Sequence, residues 1–416
     1  QAIAPDGTPF DDGKYRRMNA DLVQHLKHFF AIRNLELQPS TLSQAFAELV
    51  LAKKLHPLFP TLERDGQLAL KKSPHQNARY YYDQFKQEAL EMELHKRTHQ
   101  RAAPKNMSTL SDHLDQFYFT EKLRYYCEAL AWERVTSRRF EIGFIEQILD
   151  HVAEIDYPVP ALAIYYQMTL TMLESEDEQH YFELKSLLRE YSALFPKQEA
   201  RNMYAVAQNF CTSKINEGAL NYLQETFELH QMLLDEAILL NNNEISPWDY
   251  KNIIVVGLRL GEFDWTYEFI ETYRPRLAER FRENAYTYNL SKYYFYRRDF
   301  EKVIPLLQQV EYQDVFYNLD SKAMLLKTYY ELDEWEPMDA LIHSFKAMLR
   351  RKQQISDHHR QNYFNFIKIV KKLSRSYRFT NEELDALASE IRASQAIADS
   401  NWLLAKVKEL RRPVRV

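Results

Sequence analysis

Apolar residues recur at intervals of three and four along most of the chain after residue 108. One such face, between residues 114 and 130, is formed by Leu114, Phe117, Phe119, Leu123, Tyr126, Cys127 and Leu130. This period is typical of an amphipathic α-helix, whereas a period of two would indicate a β-strand. No segment has a convincing strand pattern. The sequence therefore predicts an all-α protein whose helices are roughly 12–20 residues long and are joined by short turns.

The segment before residue 108 is organised differently. Residues 1–20 contain prolines and glycines but no periodic apolar pattern, and we interpret them as a flexible lead-in. An N-terminal helical region follows over 21–107 and ends in the proline-containing break at 101–107. Within this region the pattern predicts three helices and one long loop, namely helices at 21–33, 41–55 and 77–99 and a loop at 56–76.

Three segments in the second half of the chain align with one another through a central turn: 250–273, 288–310 and 322–345. An aromatic residue follows the turn in each segment, namely Phe263, Phe300 and Trp335, and we expect Phe300 to be buried between two helices. Self-similarity at such a period is typical of stacked helix pairs. We predict the repeat array over 108–378 and a two-helix C-terminal extension over 379–416, the first of whose helices is capped by Thr380.

The second segment resembles the tetratricopeptide repeat, a helix–turn–helix unit of about 34 residues. Leu290-Ser291-x-x-Tyr294 matches the opening of the family's first helix, and Gly261 stands where the family usually has its turn glycine. The segment 288–322 is also similar to helical-repeat proteins of the Bacteroidota. The resemblance implies a right-handed α-solenoid, an extended array whose default role is to bind other molecules along its surface.

Composition narrows the class of protein further. Only 7 of the 416 residues are Gly, whereas an average protein of this length has roughly 30. Rossmann folds, P-loop enzymes, TIM barrels and β-sandwiches all need glycine at tight turns, so the shortage argues against them. The two cysteines, Cys127 and Cys211, lie within apolar helical patterns, and we expect both to be buried thiols. No apolar run approaches the length of a transmembrane helix, and we expect a cytoplasmic protein.

Catalytic chemistry has little support in the sequence. The nucleophile-elbow, phosphate-loop and protein-kinase motifs are all absent. His95 and His99 have the spacing of a zinc-binding pair, but no Glu lies between them and no third ligand is apparent. We therefore expect no catalytic residue, no metal and no cofactor, and we interpret the chain as a non-enzyme.

The aromatic content, 28 Tyr and 24 Phe, directs attention to the inner face of the repeat array. Tyrosine offers a large contact area at a low entropy cost, which suits a peptide-binding surface. The resemblance places six residues on the concave face as a peptide-binding groove: Lys251, Tyr288, Lys292, Tyr296, Lys327 and Tyr330. Three lysines there favour an acidic ligand. An alternative is that the protein's own terminal segments cover this groove.

A second surface is strongly basic. Residues 346–378 contain ten Lys or Arg and one acidic residue, interleaved with aromatic residues. Such a segment can bind a phosphate backbone and stack exposed bases, although it equally fits a solvated helix face or a surface for an acidic protein. Its candidate nucleic-acid-binding residues are Arg350, Arg351, Lys352, Arg360, Lys368, Lys371 and Lys372.

These observations favour a protein–protein interaction scaffold. We expect it to bind a peptide or helical segment, most of all an acidic one, on the concave face of a tetratricopeptide-like solenoid. A nucleic-acid-associated helical-repeat protein that uses 346–378 is the alternative. Salt dependence would separate the two, because binding to phosphates weakens steeply as salt rises.

Overall fold

The computed structural model of the chain describes residues 11–98, 103–104, 106–136, 138–154, 159–309, 315–375, 379–394 and 396–411. These residues are almost wholly α-helical, which confirms the all-α class predicted from the apolar period. The exception is a hairpin of two very short antiparallel strands, β1 (Leu240–Asn241) and β2 (Glu244–Ile245). The chain divides into two compact units, Gln1–Tyr222 and Leu223–Val416.

The first unit is built from helices that pack mainly on their neighbours in sequence. The bounds of these helices are α1 (Asp12–Glu36), α2 (Pro39–Ala52), α3 (Phe59–Lys71), α4 (Ala78–Thr98), α5 (Met107–Val135), α6 (Ile145–Glu154), α7 (Pro160–Leu173), α8 (Glu178–Tyr191) and α9 (Lys197–Glu217). In addition, α7 packs against both α5 and α9.

The N-terminal part of this unit differs from the prediction in two places. Helix α1 begins at Asp12, inside the segment 1–20 that was expected to be flexible, while residues 1–10 lie outside the described part. Helix α3 occupies much of 56–76, so the loop predicted there is wrong. Pro60 lies in the first turn of α3, where its missing N–H costs nothing. Gly66 lets α3 approach α4 closely, because a Cβ atom there would lie 2.6 Å from Oε1 of Gln87.

Aromatic and aliphatic side chains fill the interior of the first unit. Val50 and Phe59 are fully buried in the cluster between α2, α3 and α4. Further along the chain, the rings of Tyr181 and Phe210 stack at 5.0 Å. Cys127 and Cys211 are both free and buried, as the sequence predicted. Residues 101, 102 and 105 of the break predicted at 101–107 lie outside the described residues, and α5 begins at Met107.

The second unit continues with helices α10 to α19. Their bounds are α10 (Tyr222–Asp235), α11 (Pro247–Leu260), α12 (Phe263–Tyr273), α13 (Glu279–Tyr296), α14 (Phe300–Gln309), α15 (Val315–Glu331), α16 (Trp335–Arg351), α17 (Asp357–Leu373), α18 (Asn381–Ala393) and α19 (Ser400–Leu410). Thr380 and Glu383 form a capping box at the start of α18, as predicted. Buried residues of α15 to α19 share one core, which includes Phe345, Phe366 and Leu403.

The three aligned segments have the same turn between their two helices. The residue two positions before each aromatic residue has a left-handed backbone, with φ of 82° at Gly261, 62° at Arg298 and 57° at Asp333. In each turn a backbone N–H donates to the carbonyl oxygen five residues earlier in the chain. These bonds run from Glu262 to Gly257, from Asp299 to Tyr294 and from Glu334 to Tyr329. This is the Schellman arrangement that ends a helix. The turn is therefore shared by all three segments, although only one of them has glycine there.

The aromatic residues that guided the alignment begin the second helix of each pair. Phe263, Phe300 and Trp335 are the first residues of α12, α14 and α16. Phe300 is half-buried and packs edge-on against Phe295 with ring centroids 5.5 Å apart, so the expectation of full burial was too strong. The first helical turn lies at the end of its pair, where a side chain is covered on one side only.

Candidate functional site

The six residues predicted to line a groove lie on α11, α13 and α15, the first helices of the three pairs. Lys251 and Tyr288 lie twelve residues before the aromatic residues of their pairs, and Lys292 and Lys327 lie eight residues before theirs. Helix α13 packs against both α11 and α15. Equivalent positions therefore fall side by side, and Lys292 is close enough to Lys251 and Lys327 to experience both charges.

A carboxylate that the sequence analysis did not single out lies at the centre of this face. Asp320, on α15, forms an ion pair with Lys251 and accepts a hydrogen bond of 2.8 Å from the hydroxyl of Tyr363 on α17. The hydroxyl of Tyr288 lies 3.4 Å from the same carboxylate. Burial alone would raise the pKa of Asp320, but the charges of Lys251 and Lys292 outweigh it and hold the pKa below its ordinary value. We call these five residues the Asp320 cluster.

Tyr288 and Lys292 differ in how they take part in the Asp320 cluster. The side chain of Tyr288 is only 1% exposed, so it forms part of the interior beneath the face and not of the open surface. Lys292 keeps partial contact with solvent, and its ammonium lies 5.4 Å from the centre of the Tyr288 ring. It forms no ion pair with any residue that the structure describes. Burial lowers its pKa to about 8. The negative charge of Asp320 opposes this shift, whereas the like charges of Lys251 and Lys327 add to it.

The neighbouring lysine, Lys327, already has a partner. Its ammonium lies 2.7 Å from the carboxylate of Asp399, the residue that precedes α19. It also lies 5.0 Å from the centre of the Phe295 ring. Of the three lysines on this face, two are therefore paired within the protein, Lys251 with Asp320 and Lys327 with Asp399.

The C-terminal helix α19 covers part of the predicted groove. Its Trp402 donates a hydrogen bond of 2.9 Å to Glu331 on α15, and its Lys406 forms an ion pair with the same carboxylate. The rings of Tyr330 and Trp402 meet edge-on at 5.4 Å. Coverage by a terminal segment was one of the two alternatives left open by the sequence, and it applies at Tyr330.

An open pocket of about 540 Å³ remains between α13, α15 and α19. Tyr296, Lys327 and Glu331 line it from α13 and α15, and Asp399 and Trp402 line it from the start of α19. Tyr296 is 38% exposed, which is compatible with the predicted surface role. Charges of both signs therefore border the pocket, whereas the sequence analysis predicted a purely basic and aromatic groove.

The acidic residues of this face were missed, although the sequence carries a signal for them. Asp320, Lys327 and Glu331 are seven and four residues apart, which places them on one side of α15. Extending the face two turns back from Lys327 and one turn forward would have included both carboxylates. Asp399 has no such signal, because it enters the face from a distant helix.

The alternative basic segment carries less free charge than its composition suggests. Lys368 and Lys372 share the carboxylate of Glu390, at 2.9 and 2.6 Å. Arg360 pairs with Asp357 and donates hydrogen bonds to the backbone carbonyl oxygens of three residues at the end of α16 and after it, Leu349, Lys352 and Ile355. Of the other candidates, Arg350, Arg351 and Lys352 are exposed and Lys371 is half-buried. Binding of nucleic acid here stays a prediction.

Over the described ranges, no three His, Cys, Asp or Glu side chains come together in a way that could hold a metal ion. His99 of the His95–His99 pair lies outside those ranges. No described helix is long and apolar enough to cross a membrane.

Comparison with protein-family models, with curated proteins and with solved structures found no match.

Proposed function

We propose that this chain is a non-enzymatic binding protein of tetratricopeptide-like helical repeats. In this proposal it binds an acidic peptide or helical segment on the face formed by α11, α13 and α15. The contact centres on Lys292 and extends to Tyr296 and Lys327 at the open pocket. The partner is a protein, and it supplies a carboxylate to Lys292 and apolar groups to the aromatic side chains.

The single observation that carries the proposal is the unpaired charge of Lys292. A half-buried ammonium has lost much of its hydration, so a carboxylate that arrives from outside restores a favourable interaction. Within the protein, Asp320 and Asp399 already occupy the equivalent place beside Lys251 and Lys327. A partner carboxylate at Lys292 would complete a row of three lysine–carboxylate pairs.

The pocket beside Lys292 supports a partner larger than a single ion. Tyr296 follows Lys292 by one helical turn and lines the pocket of about 540 Å³. A pocket of this size accommodates a few side chains of a docked segment. The recurring Schellman turns support the repeat architecture on which the alignment of these residues depends.

The binding experiment uses the full chain and two fluorescein-labelled helical peptides of about 15 residues, which present one face to a groove. One peptide has Glu and Leu at helical spacing, and the other has Lys in place of each Glu. We expect the Glu peptide to bind and the Lys peptide not to bind, as measured by fluorescence anisotropy. The variant Lys292→Met keeps an unbranched side chain of nearly the same length without its charge, and we expect it to weaken binding at least about tenfold.

The matched control is Lys352→Met, which removes an exposed lysine of the same unit outside the proposed face. We expect this variant to bind the Glu peptide as the unaltered chain does. Equal losses in the two variants would overturn the proposed location. Failure of both peptides to bind, together with salt-sensitive binding of a single-stranded RNA of about 20 nucleotides, would favour the nucleic-acid alternative.

A further inference from the structure

The first unit contains a separate pocket of about 590 Å³ that the proposed function does not use. It lies where α5, α7 and α9 meet the start of α4, and its apolar lining includes Met168 and Met203, which are almost fully buried, together with Val206. Methionine side chains adapt to ligands of different shape because they are unbranched and polarisable. Pockets of this volume commonly accommodate small organic molecules.

One carboxylate in this pocket is hydrogen-bonded to two uncharged side chains. Glu199, in the first turn of α9, accepts a hydrogen bond of 2.9 Å from the hydroxyl of Tyr165 at Oε1. At Oε2 it accepts one of 2.8 Å from the side-chain amide of Asn77. Both donors are neutral, so they fix the position of the carboxylate while its negative charge remains. The side chain is half-buried and borders the pocket.

The other charged groups that line the pocket are paired. Arg124 forms ion pairs with Glu121 at 2.6 Å and with Glu128 at 2.8 Å. Arg79 forms an ion pair of 3.0 Å with Asp83 and not with Glu199. Among the described residues, Glu199 is thus the charged group lining this pocket that has no ion pair of its own. The charge that the pocket lacks is positive.

Covalent thiol chemistry does not explain the pocket, although Cys127 reaches its wall. The sulfur of Cys127 lies 3.3 Å from the hydroxyl of Thr169. Burial raises the pKa of the Cys127 thiol to about 12, so at neutral pH the reactive thiolate is almost absent. The apolar lining and the fixed carboxylate are suited to reversible binding.

We propose that this pocket binds an alkylammonium group, with the cation beside Glu199 and the alkyl chain against Met168 and Met203. The site is independent of the lysine face in the second unit and does not rest on the function proposed for it. The carboxylate supplies charge-assisted hydrogen bonds, which are stronger than those between neutral groups. The methionines supply apolar contact area that a hydrated inorganic cation could not use.

The test compares three probes with the same chain length: hexylammonium, hexan-1-ol and hexanoate. Binding to the full chain, carrying ¹³C-methyl methionine, is followed by NMR at the methyl groups of Met168 and Met203. We expect hexylammonium to shift both signals at the lowest concentration, hexan-1-ol to bind at least about tenfold more weakly, and hexanoate to bind most weakly. Nα-acetyl-lysine N-methylamide presents the same ammonium on a peptide backbone, and tighter binding of this probe would identify a lysine side chain as the natural source.

The variant Glu199→Gln keeps the size of the side chain and one acceptor oxygen but removes its charge. We expect it to weaken hexylammonium at least about tenfold while leaving hexan-1-ol unchanged. The matched control is Glu190→Gln, at an exposed glutamate of α8, which should leave all three probes unchanged. Equal binding of hexylammonium and hexan-1-ol to the unaltered chain would overturn the proposal, even if Glu199→Gln failed to fold. Absence of methyl shifts with hexylammonium would do the same.

Discussion

The pocket of the first unit and the lysine face of the second unit each contain a half-buried charge without an ion pair, but they hold it differently. Glu199 is held by two neutral donors, Tyr165 and Asn77. Lys292 is surrounded by an aromatic ring and by other charges, and burial lowers its pKa to about 8. Neutral hydrogen bonds fix a charge at little electrostatic cost, whereas desolvation beside like charges weakens the charged form.

The two regions therefore depend on different interactions for their stability. In the second unit Asp320 is the carboxylate that both Lys251 and Lys292 act on, so this part of the lysine face depends strongly on one acidic residue. In the first unit the described hydrogen-bond partners of Glu199 are neutral, so no charge there depends on Glu199 to balance it. The two regions should therefore respond very differently when one acidic side chain is neutralised.

The largest expected effect comes from Asp320→Asn. This change leaves Lys251 beside Lys292 without its carboxylate, and we expect it to lower the free energy of unfolding of the second unit by about 2–3 kcal/mol. Glu199→Gln in the first unit should cost only about 1 kcal/mol, because the amide oxygen of Gln can still accept from Asn77 while its NH2 group donates to the hydroxyl oxygen of Tyr165. Urea unfolding in a Trp132→Phe background measures the second unit, since the other four tryptophans all lie there.

The matched control for that experiment is Asp339→Asn, at an exposed aspartate of α16. We expect it to change the free energy of unfolding by no more than about 0.5 kcal/mol. If Asp320→Asn changed the free energy of unfolding as little as the control does, Asp320 would not be the residue that balances the charges of Lys251 and Lys292.

The next expected effect is an opposite response of the two units to pH. Glu91 on α4 is half-buried near the carboxylates of Glu63 and Glu88, and burial together with Glu63 raises its pKa to about 8. Since the folded state holds a proton that the unfolded state has lost, the first unit should lose stability as the pH rises from about 4.5 to 8. Lys292 has a lowered pKa, so the second unit should gain stability between pH 8 and about 10.5, where the unfolded state still binds the proton.

Hydrogen exchange measured by mass spectrometry resolves the two units, provided that protection is corrected for the intrinsic exchange rate at each pH. The variants Glu91→Gln and Lys292→Met should each reduce the pH dependence of their own unit in its pH range and leave that of the other unchanged. Parallel pH dependence in both units would show that these residues do not control it.

The smallest expected effect concerns the turns of the second unit. Asp333 adopts a left-handed backbone that is strained for a residue with a Cβ atom, so Asp333→Gly should raise the free energy of unfolding by about 0.5 kcal/mol. Gly261→Ala places a Cβ atom in the same conformation and should lower it by about 1 kcal/mol. Thermal unfolding of both variants measures the difference, and equal signs would contradict the equivalence of the turns.

The sequence predicted the helical class and the positions of the three turns well. Both depend on local patterns, namely the apolar period and the aromatic residue that begins the second helix of each pair. The loop predicted at 56–76 failed because prolines were interpreted as helix breakers, whereas Pro60 lies in a first turn, where it is tolerated. Burial of Phe300 was overestimated for a related reason, because its position at the start of a helix leaves one side open.

The candidate site was predictable only in part. Lys251, Lys292 and Lys327 were identified because they share a phase with one another along their helices. Asp399 and Trp402 reach the same face from a helix about 70 residues further along the chain, and no local pattern connects them to it. Tyr288 has the right phase, yet it is buried, since phase alone does not distinguish the surface of a face from the layer beneath it.

The ion pair between Lys251 and Asp320 has a mechanical consequence. It joins α11 to α15 across the intervening helix α13, and Tyr363 extends the same connection to α17. In an array where each helix pair touches only the next, force applied at the two ends detaches the pairs one after another. A bond that skips a helix ties non-adjacent pairs together, so under tension α11 to α17 should give way in one step and not in three.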